Sequence, residues 1–181
     1  MTLPIDFAVA TPTDVPALHA LVESAYRGDS ARGGWTHEAD LLDGQRTDHD
    51  ALAQAIADPD HIILLARDGD ALIGCVEVNR AAAGRAYLGM LSVDPDWQGR
   101  ALGKVLINAA EEAARARFGA THIEMTVIRQ RSELIAYYQR RGYALTGETR
   151  PFPYGDERFG RPRVADLIFV VLAKPLTSPA V

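Results

Sequence analysis

One short stretch concentrates residues that can hold an anion: Asp94-Pro95-Asp96-Trp97-Gln98-Gly99-Arg100-Ala101-Leu102-Gly103-Lys104. Gly99 and Gly103 let a ligand approach the main chain, and Arg100 and Lys104 supply full positive charge. After Asp96 no carboxylate follows until Glu111. The apolar residues Leu102, Val105, Leu106, Ala109, Ala110, Ala113 and Ala114 then recur at i, i+3, i+4 and i+7, so the stretch opens a long amphipathic helix. The first turn of such a helix leaves N–H groups unpaired and carries partial positive charge. The natural ligand is a phosphate or pyrophosphate. Two common phosphate loops do not fit. A Walker loop needs four residues between its glycines and a Ser or Thr after the Lys, whereas Gly99 and Gly103 have three residues between them and Val105 follows Lys104. The Gly-x-Gly-x-x-Gly dinucleotide fingerprint is absent.

The elements that must position this stretch are legible in outline. Residues 5–10 alternate as a strand, and Thr11-Pro12-Thr13-Asp14 offers the start of a helix over 14–26. Residues 27–47 read as a loop around Gly28, Gly33 and Gly34, with a helical turn at 38–42. A short helix spans 48–57. Strands follow at 61–67 and 71–79, joined by the tight turn Asp68-Gly69-Asp70, and at 86–93. The long helix ends at Gly119. Residues 121–128 form a strand, 132–141 a helix, and 143–146 and 166–173 two more strands, with a proline-bearing loop over 147–163. The order β-α-α-β-β-β-α-β-α-β-β implies an α/β (α+β) fold: a mixed sheet with helices on its faces.

At 181 residues the chain suits a single domain over 1–181, and a composition 48% hydrophobic and 24% charged excludes disordered and low-complexity classes. The net charge of −5 speaks against a nucleic-acid partner. No basic-plus-apolar leader is visible at the N-terminus. The longest apolar run, 167–173, is far below the roughly 20 residues a membrane helix needs. A cytoplasmic, membrane-free protein is expected. Cys75 lies in an apolar run and reads as a buried small hydrophobe. His19, His37, His49, His61 and His122 show no metal-ligand spacing, so no metal is expected.

Gln98-Gly99-Arg100-Ala101-Leu102-Gly103, after Leu91-Ser92-Val93-Asp94-Pro95, resembles the acyl-CoA motif Arg/Gln-x-x-Gly-x-Gly/Ala of the GNAT N-acetyltransferase superfamily. Ala101 takes the middle glycine, a mild departure if the residue is helical. Ala136-Tyr137-Tyr138-Gln139-Arg140-Arg141-Gly142-Tyr143 resembles the family's second signature, although the Asn often found before that helix is absent and Arg131 and Ser132 stand nearby. The resemblance implies a mostly antiparallel GNAT sheet in which strands 86–93 and 121–127 splay around acetyl-CoA, the co-substrate. The pantetheine arm would meet main-chain groups of Leu91, Ser92 and Val93, and the pyrophosphate those of Gln98, Gly99, Arg100, Ala101, Leu102, Gly103 and Lys104, with Arg131 as a further contact. Homodimers are common in the family.

The implied reaction is direct acetyl transfer to a primary amine. A non-catalytic CoA sensor, an interaction module or a domain for another nucleotide are the alternatives. An alkylamine of pKa near 10.4 is only about 0.04% neutral at pH 7, a handicap of about 4–5 kcal/mol, so a base is needed. Glu77, among apolar neighbours that raise a carboxyl pKa, is the candidate base, and Glu124 the rival. Tyr138 matches the family tyrosine facing the sulfur, with core packing its bland alternative. Pro151-Phe152-Pro153-Tyr154 reads as a stiffened loop over the site. Residues 36–60 hold seven acids against Arg46, which points to a cationic acceptor steered to that side.

Overall fold

The chain was analysed as a computed structural model that describes residues 5–27 and 38–177. The expectations placed on Gly28, Gly33, Gly34 and His37 lie outside the described residues. Thr11 opens the first helix with a capping box: its backbone N–H and its hydroxyl both donate to Asp14 Oδ2, at 2.8 and 2.9 Å. A short 3₁₀ turn (Pro12–Asp14) leads into α1 (Val15–Tyr26). The remaining helices are α2 (His49–Ala57), capped by the Asp48 carboxylate on Ala51 N at 2.7 Å, α3 (Leu102–Phe118) and α4 (Ser132–Gln139).

Seven strands form one sheet: β1 (Asp6–Val9), β3 (His61–Asp68), β4 (Ala71–Arg80), β5 (Arg85–Val93), β6 (His122–Ile128), β7 (Ala144–Pro151) and β9 (Ile168–Pro175), in the order β1-β3-β4-β5-β6-β9-β7. Every neighbouring pair is antiparallel except β5 and β6. A two-residue ribbon pairs β2 (Leu42–Asp43) with β8 (Arg161–Pro162). The mixed, mostly antiparallel sheet matches the fold expected from the sequence.

Two apolar layers hold the sheet. On one face Leu102, Leu106, Ile107, Ala110 and Ala114 of α3 pack on Ile73, Val76, Val78, Ala86 and Leu88. On the other Leu18, Leu21, Val22 and Leu52 of α1 and α2 pack on Ile63, Leu65, Cys75 and Met90. Cys75 is the buried hydrophobe it was expected to be, and burial pushes its thiol up to about 12. The buried stripe of α3 is rotated from the one the spacing suggests. Val105 is 41% exposed, whereas Glu111 is buried. Glu111 is tolerated there because its carboxylate accepts from the Tyr143 hydroxyl at 3.0 Å and from Lys174 Nζ at 2.9 Å.

Three local expectations change. Residues 38–41 make one hydrogen-bonded turn, with Leu42 N donating to Glu38 O at 2.8 Å, and the chain then enters β2. Strand β7 runs on to Pro151, where a loop was expected from Gly147. It is an exposed edge strand of polar residues, with its register shifted between Leu145 and Thr149, so it lacks an apolar alternation. The last strand starts at Ile168, two residues later than read, because Asp166 is drawn into a contact with Gln130.

The helix-to-sheet contact is close at Gly74. A Cβ there would lie 2.8 Å from Leu106 Cδ1 and 3.2 Å from the Ser92 carbonyl oxygen. Gly74→Ala is expected to destabilise the fold by about 1–3 kcal/mol through overpacking, read as a lower urea midpoint with unchanged slope.

Candidate active site

The parallel ladder between β5 and β6 lasts for only three pairs, Arg85–His122, Ala86–Ile123 and Tyr87–Glu124. Beyond them β5 stays with β4 and β6 with β9, so the two strands diverge as expected. A β-bulge sharpens the divergence. Cys75 pairs with Ser92 and Glu77 with Gly89, so Met90 and Leu91 oppose the single residue Val76. Met90 takes the left-handed conformation, φ 52°, and the bulge turns its side chain to the α1 face. Past the split, the Leu91 carbonyl accepts from the Tyr26 hydroxyl at 2.6 Å, and that of Val93 accepts from Gln98 Nε2 at 3.4 Å.

Two cavities flank the split. One, of about 270 Å³, runs along Leu91, Val93, Trp97, Gln98, Gly99, Ala101, Leu102 and Gly103 and is closed by Tyr137, Tyr138 and Arg141 of the α4 region. The other, of about 240 Å³, is bounded by Gly89, Met90, Thr126, Leu42 and the aromatic rings of Phe152, Phe159 and Phe169. Tyr26, Leu91, Arg131, Leu134 and Tyr138 line both.

The first cavity has the features of an anion cradle. The first intrahelical bond of α3 runs from Val105 N to Ala101 O at 3.2 Å, so Leu102, Gly103 and Lys104 lack intrahelical acceptors. Gly103 is required by close approach, since a Cβ would sit 2.7 Å from the Tyr137 hydroxyl. Arg141 clamps that tyrosine, its guanidinium 3.4 Å over the ring and Nη1 donating to the Tyr137 carbonyl at 2.7 Å. Arg100 lies 4.6 Å over Trp97, and Lys104 is exposed at the mouth.

One sequence expectation is corrected here. Ala101 is not helical. It is the N-cap residue at φ 61°, ψ 9°, a conformation that costs an L residue about 1–2 kcal/mol and that the family glycine would adopt freely. At Ser92, expected to act through its main chain, the side chain lies away from that cavity. It is 1% exposed on the face of Cys75, its hydroxyl donating to Met90 O at 3.1 Å. Arg131 does line the cavity, ion-paired to Glu38 at 3.2 Å.

The two candidate bases differ sharply. Glu124 is locked between Arg150 at 3.0 Å and Arg85 at 3.6 Å, at the closed end of the split. Glu77 faces the α1–α2 side, with Oε1 3.7 Å from His61 Nδ1. It lines a cleft with Arg46, Asp58, His61 and Met90, which adjoins the second cavity through Arg46 and Met90. A Cβ on Gly89 would be only 3.5 Å from Glu77 Oε2. Burial pushes the Glu77 carboxyl up, against the opposing pull of His61 and Arg46. Tyr138 is buried, 5% exposed, and burial pushes its phenol far above the ordinary range.

The residues missed by sequence reasoning are Tyr26, Arg27, Glu38 and Arg46. Glu38 receives Arg27 at 2.8 Å as well as Arg131. No local pattern signals an ion pair spanning 93 residues. Among the described residues no cluster of His, Cys, Asp or Glu could hold a metal, and no helix is long and apolar enough to cross a membrane.

Replacing Ala101 by Gly relieves the left-handed strain and gives back about 0.4–1 kcal/mol of unfolded-chain entropy. Ala101→Gly is therefore expected to raise stability by several tenths to about 1 kcal/mol in urea titrations, with acetyl-CoA affinity retained.

Comparison with known proteins agrees with this geometry. The chain covers 98% of itself and 97% of the ribosomal-protein-S18-alanine N-acetyltransferase of Escherichia coli, at TM-score 0.70 and 16% identity. Against nourseothricin acetyltransferase it covers 97% and 100%, at TM-score 0.68 and 22% identity. An N-acetyltransferase from Thermoplasma acidophilum, solved in complex with coenzyme A, matches at TM-score 0.64 and 17% identity over 95% and 99% of the two chains. No curated protein matches by sequence. The model of the acetyltransferase (GNAT) family matches residues 18–143. The chain belongs to the GNAT acetyltransferase family, whose fold binds acetyl-CoA.

Proposed function

We propose that the protein transfers an acetyl group from acetyl-CoA to a primary amine of a small molecule or peptide by direct attack. The observation that carries this reading is the junction of the two cavities at Tyr138, Leu91 and Tyr26. A thioester laid in the first cavity faces an amine admitted through the second. A sensor of CoA would leave the second cavity without a role.

In the transfer the amine nitrogen forms a bond to the carbonyl carbon, and the carbon–sulfur bond breaks. The amine gives up one proton, and the departing thiolate takes one. Within the first cavity the free N–H groups of Leu102, Gly103 and Lys104 suit the pyrophosphate, and the gap-facing backbone of Leu91 and Val93 suits the pantetheine amides. The Leu91 and Val93 carbonyls already receive Tyr26 and Gln98 but keep a second lone pair each.

Glu77 fits the role of base, acting through water across Gly89. The groups facing it are His61 from β3, Arg46 from the loop before α2, Asp58 after α2 and the neutral Cys75 thiol on its own strand. Because its carboxyl sits above the ordinary glutamate range, the base form is lost as pH falls through that raised value. Tyr138 fits the leaving-group side. Its proton is held more tightly than that of a free phenol, so donating a hydrogen bond to the thiolate is favoured over giving up the proton.

Thiol release with acetyl-CoA and a panel of amines tests the reading, and release no faster than the amine-free blank overturns it. In the same assay Tyr138→Phe is expected to lower kcat about 10–100-fold, with the KM for acetyl-CoA changed little. Full turnover at saturating acetyl-CoA would remove Tyr138 from the chemistry. Glu77→Gln is expected to lower kcat/KM on the order of 10²-fold and to abolish the acid limb of the pH profile. A retained limb would assign it to another group.

A further inference from the structure

We propose that Arg46 binds an anionic group of the acceptor, a carboxylate or a phosphate, so that the amine accepted carries a negative charge elsewhere on an apolar body. This rests on the acetyltransferase reading above and names the substrate class of that site.

The charges around the acceptor-side cavity decide it. Among the described residues its lining holds Arg27, Arg46 and Arg131 against the one carboxylate of Glu38. Glu38 is already claimed twice, by Arg27 at 2.8 Å and Arg131 at 3.2 Å. Arg46 makes no ion pair among the described residues. Its guanidinium lies 5.1 Å over the Tyr26 ring and lines both this cavity and the adjoining cleft of Glu77. An arginine stays charged in a protein; the fields of Glu38 and Glu77 support the charge of Arg46, but neither carboxylate is ion-paired to it, so its fork is open to a ligand. A ligand that brings a carboxylate gains a charge-assisted contact with planar geometry. The tyrosine beneath holds the fork in place, because the Tyr26 hydroxyl is itself fixed on Leu91 O at 2.6 Å.

The acidic segment does not oppose this. Of the seven acids in residues 36–60, only Glu38 lines this cavity. Asp48 caps α2, Asp60 pairs with Arg80 at 2.8 Å, and Asp43 faces Arg163 at 3.9 Å. The cationic acceptor expected from the sequence rests on the summed charge of this segment, of which Glu38 alone reaches this cavity and Asp58 the adjoining cleft. The rest of the lining, Leu42, Phe152, Phe159 and Phe169, suits an apolar body.

The test compares matched amines. L-phenylalanine is set against L-phenylalaninamide, and phosphoethanolamine against ethanolamine, in the thiol-release assay. The wild-type protein is expected to favour the charged member of at least one pair by about tenfold or more in kcat/KM. The favoured pair tells carboxylate from phosphate. Arg46→Gln should collapse that ratio to near unity, mainly through KM, and Arg46→Lys should restore part of it. Calorimetric binding of acetyl-CoA should be the same in all three proteins. Equal or better use of the neutral members, or a ratio that survives Arg46→Gln, overturns the proposal.

A second readout separates this proposal from the reading beneath it. N-acetylphenylalanine and its carboxamide are titrated into the CoA-loaded protein. Tighter binding of the acid, lost in Arg46→Gln, upholds Arg46 even if no amine is turned over, in which case the transferase reading alone falls. Equal or absent binding of the two, without a charge preference in turnover, overturns the assignment of Arg46.

Discussion

Backbone hydrogen bonding that stops halfway along a strand pair is the constraint on which the rest of this structure depends. Beta-strands β5 and β6 pair at Arg85–Tyr87 with His122–Glu124 and then part. Beyond that point β5 keeps β4 and β6 keeps β9, but the N–H and C=O groups that face the gap lose their ladder partner and need another. The protein supplies part of the answer itself, through the Tyr26 hydroxyl on Leu91 and the Gln98 amide on Val93. The remaining unpaired groups are what an amide-bearing chain can use. A sheet opened in this way needs clamps at its ends. At the closed end Glu124 is held by Arg85 and Arg150, and across the gap the Tyr87 hydroxyl meets Thr126 Oγ1 at 2.6 Å.

The bulge and the split solve different parts of one problem. Without the extra residue at Met90, the side chains of β5 would alternate without interruption, and Leu91 would face away from α3 and α4. The bulge puts Gly89 and Met90 together on the α1–α2 face and returns Leu91 to the cofactor side. Gly89, having no side chain, lines the second cavity and lies beside the carboxylate of Glu77, whose Oε2 would be 3.5 Å from a Cβ there. A left-handed Met90 is a strained residue held by packing in the second core layer, where it is 6% exposed. Strain at Met90 and again at Ala101 brackets the cofactor strand at both ends. Both positions stay strained because the surrounding elements over-determine them.

Much of the fold was legible because its signals are local. The capping chemistry of Thr11–Asp14, the Asp68-Gly69-Asp70 turn and the helical period of α3 act within one or two turns of chain, and the structure keeps each element, with the buried stripe of α3 rotated. The two motif segments also came out next to one cavity, since Gln98–Gly103 and Tyr137–Tyr138 line it together. What escaped was set by tertiary neighbours. Edge strand β7 has no apolar face to announce it. The left-handed Ala101 contradicts its own propensity, and nothing near Ala101 in the chain demands that conformation. Arg46 sits in a run of acids, and charge counting along the chain does not reveal that Glu38 is the one acid of that run to line the cavity beside it. Net charge over a segment says nothing about which side chains turn inward.

The buried charges explain why the arginines and not the acids define the cavity. An isolated carboxylate inside costs several kcal/mol, so Glu38 is admitted only with Arg27 and Arg131 on either side of it. That arrangement fixes three elements at once: the end of α1, the turn before β2 and the entry to α4. Among the described residues it also uses up the one carboxylate on the wall and leaves two guanidinium charges for one negative charge before Arg46 is counted. A cationic amine would enter against that surplus and would have to lose a proton as well. For an amine tethered to an anion, the same field offers an anchor for the charged end. It also lowers the cost of presenting a neutral nitrogen at the other, because nearby guanidinium groups disfavour the ammonium form. The positive wall therefore serves both ends of such an acceptor: it holds the anion, and it eases the deprotonation that the amine requires.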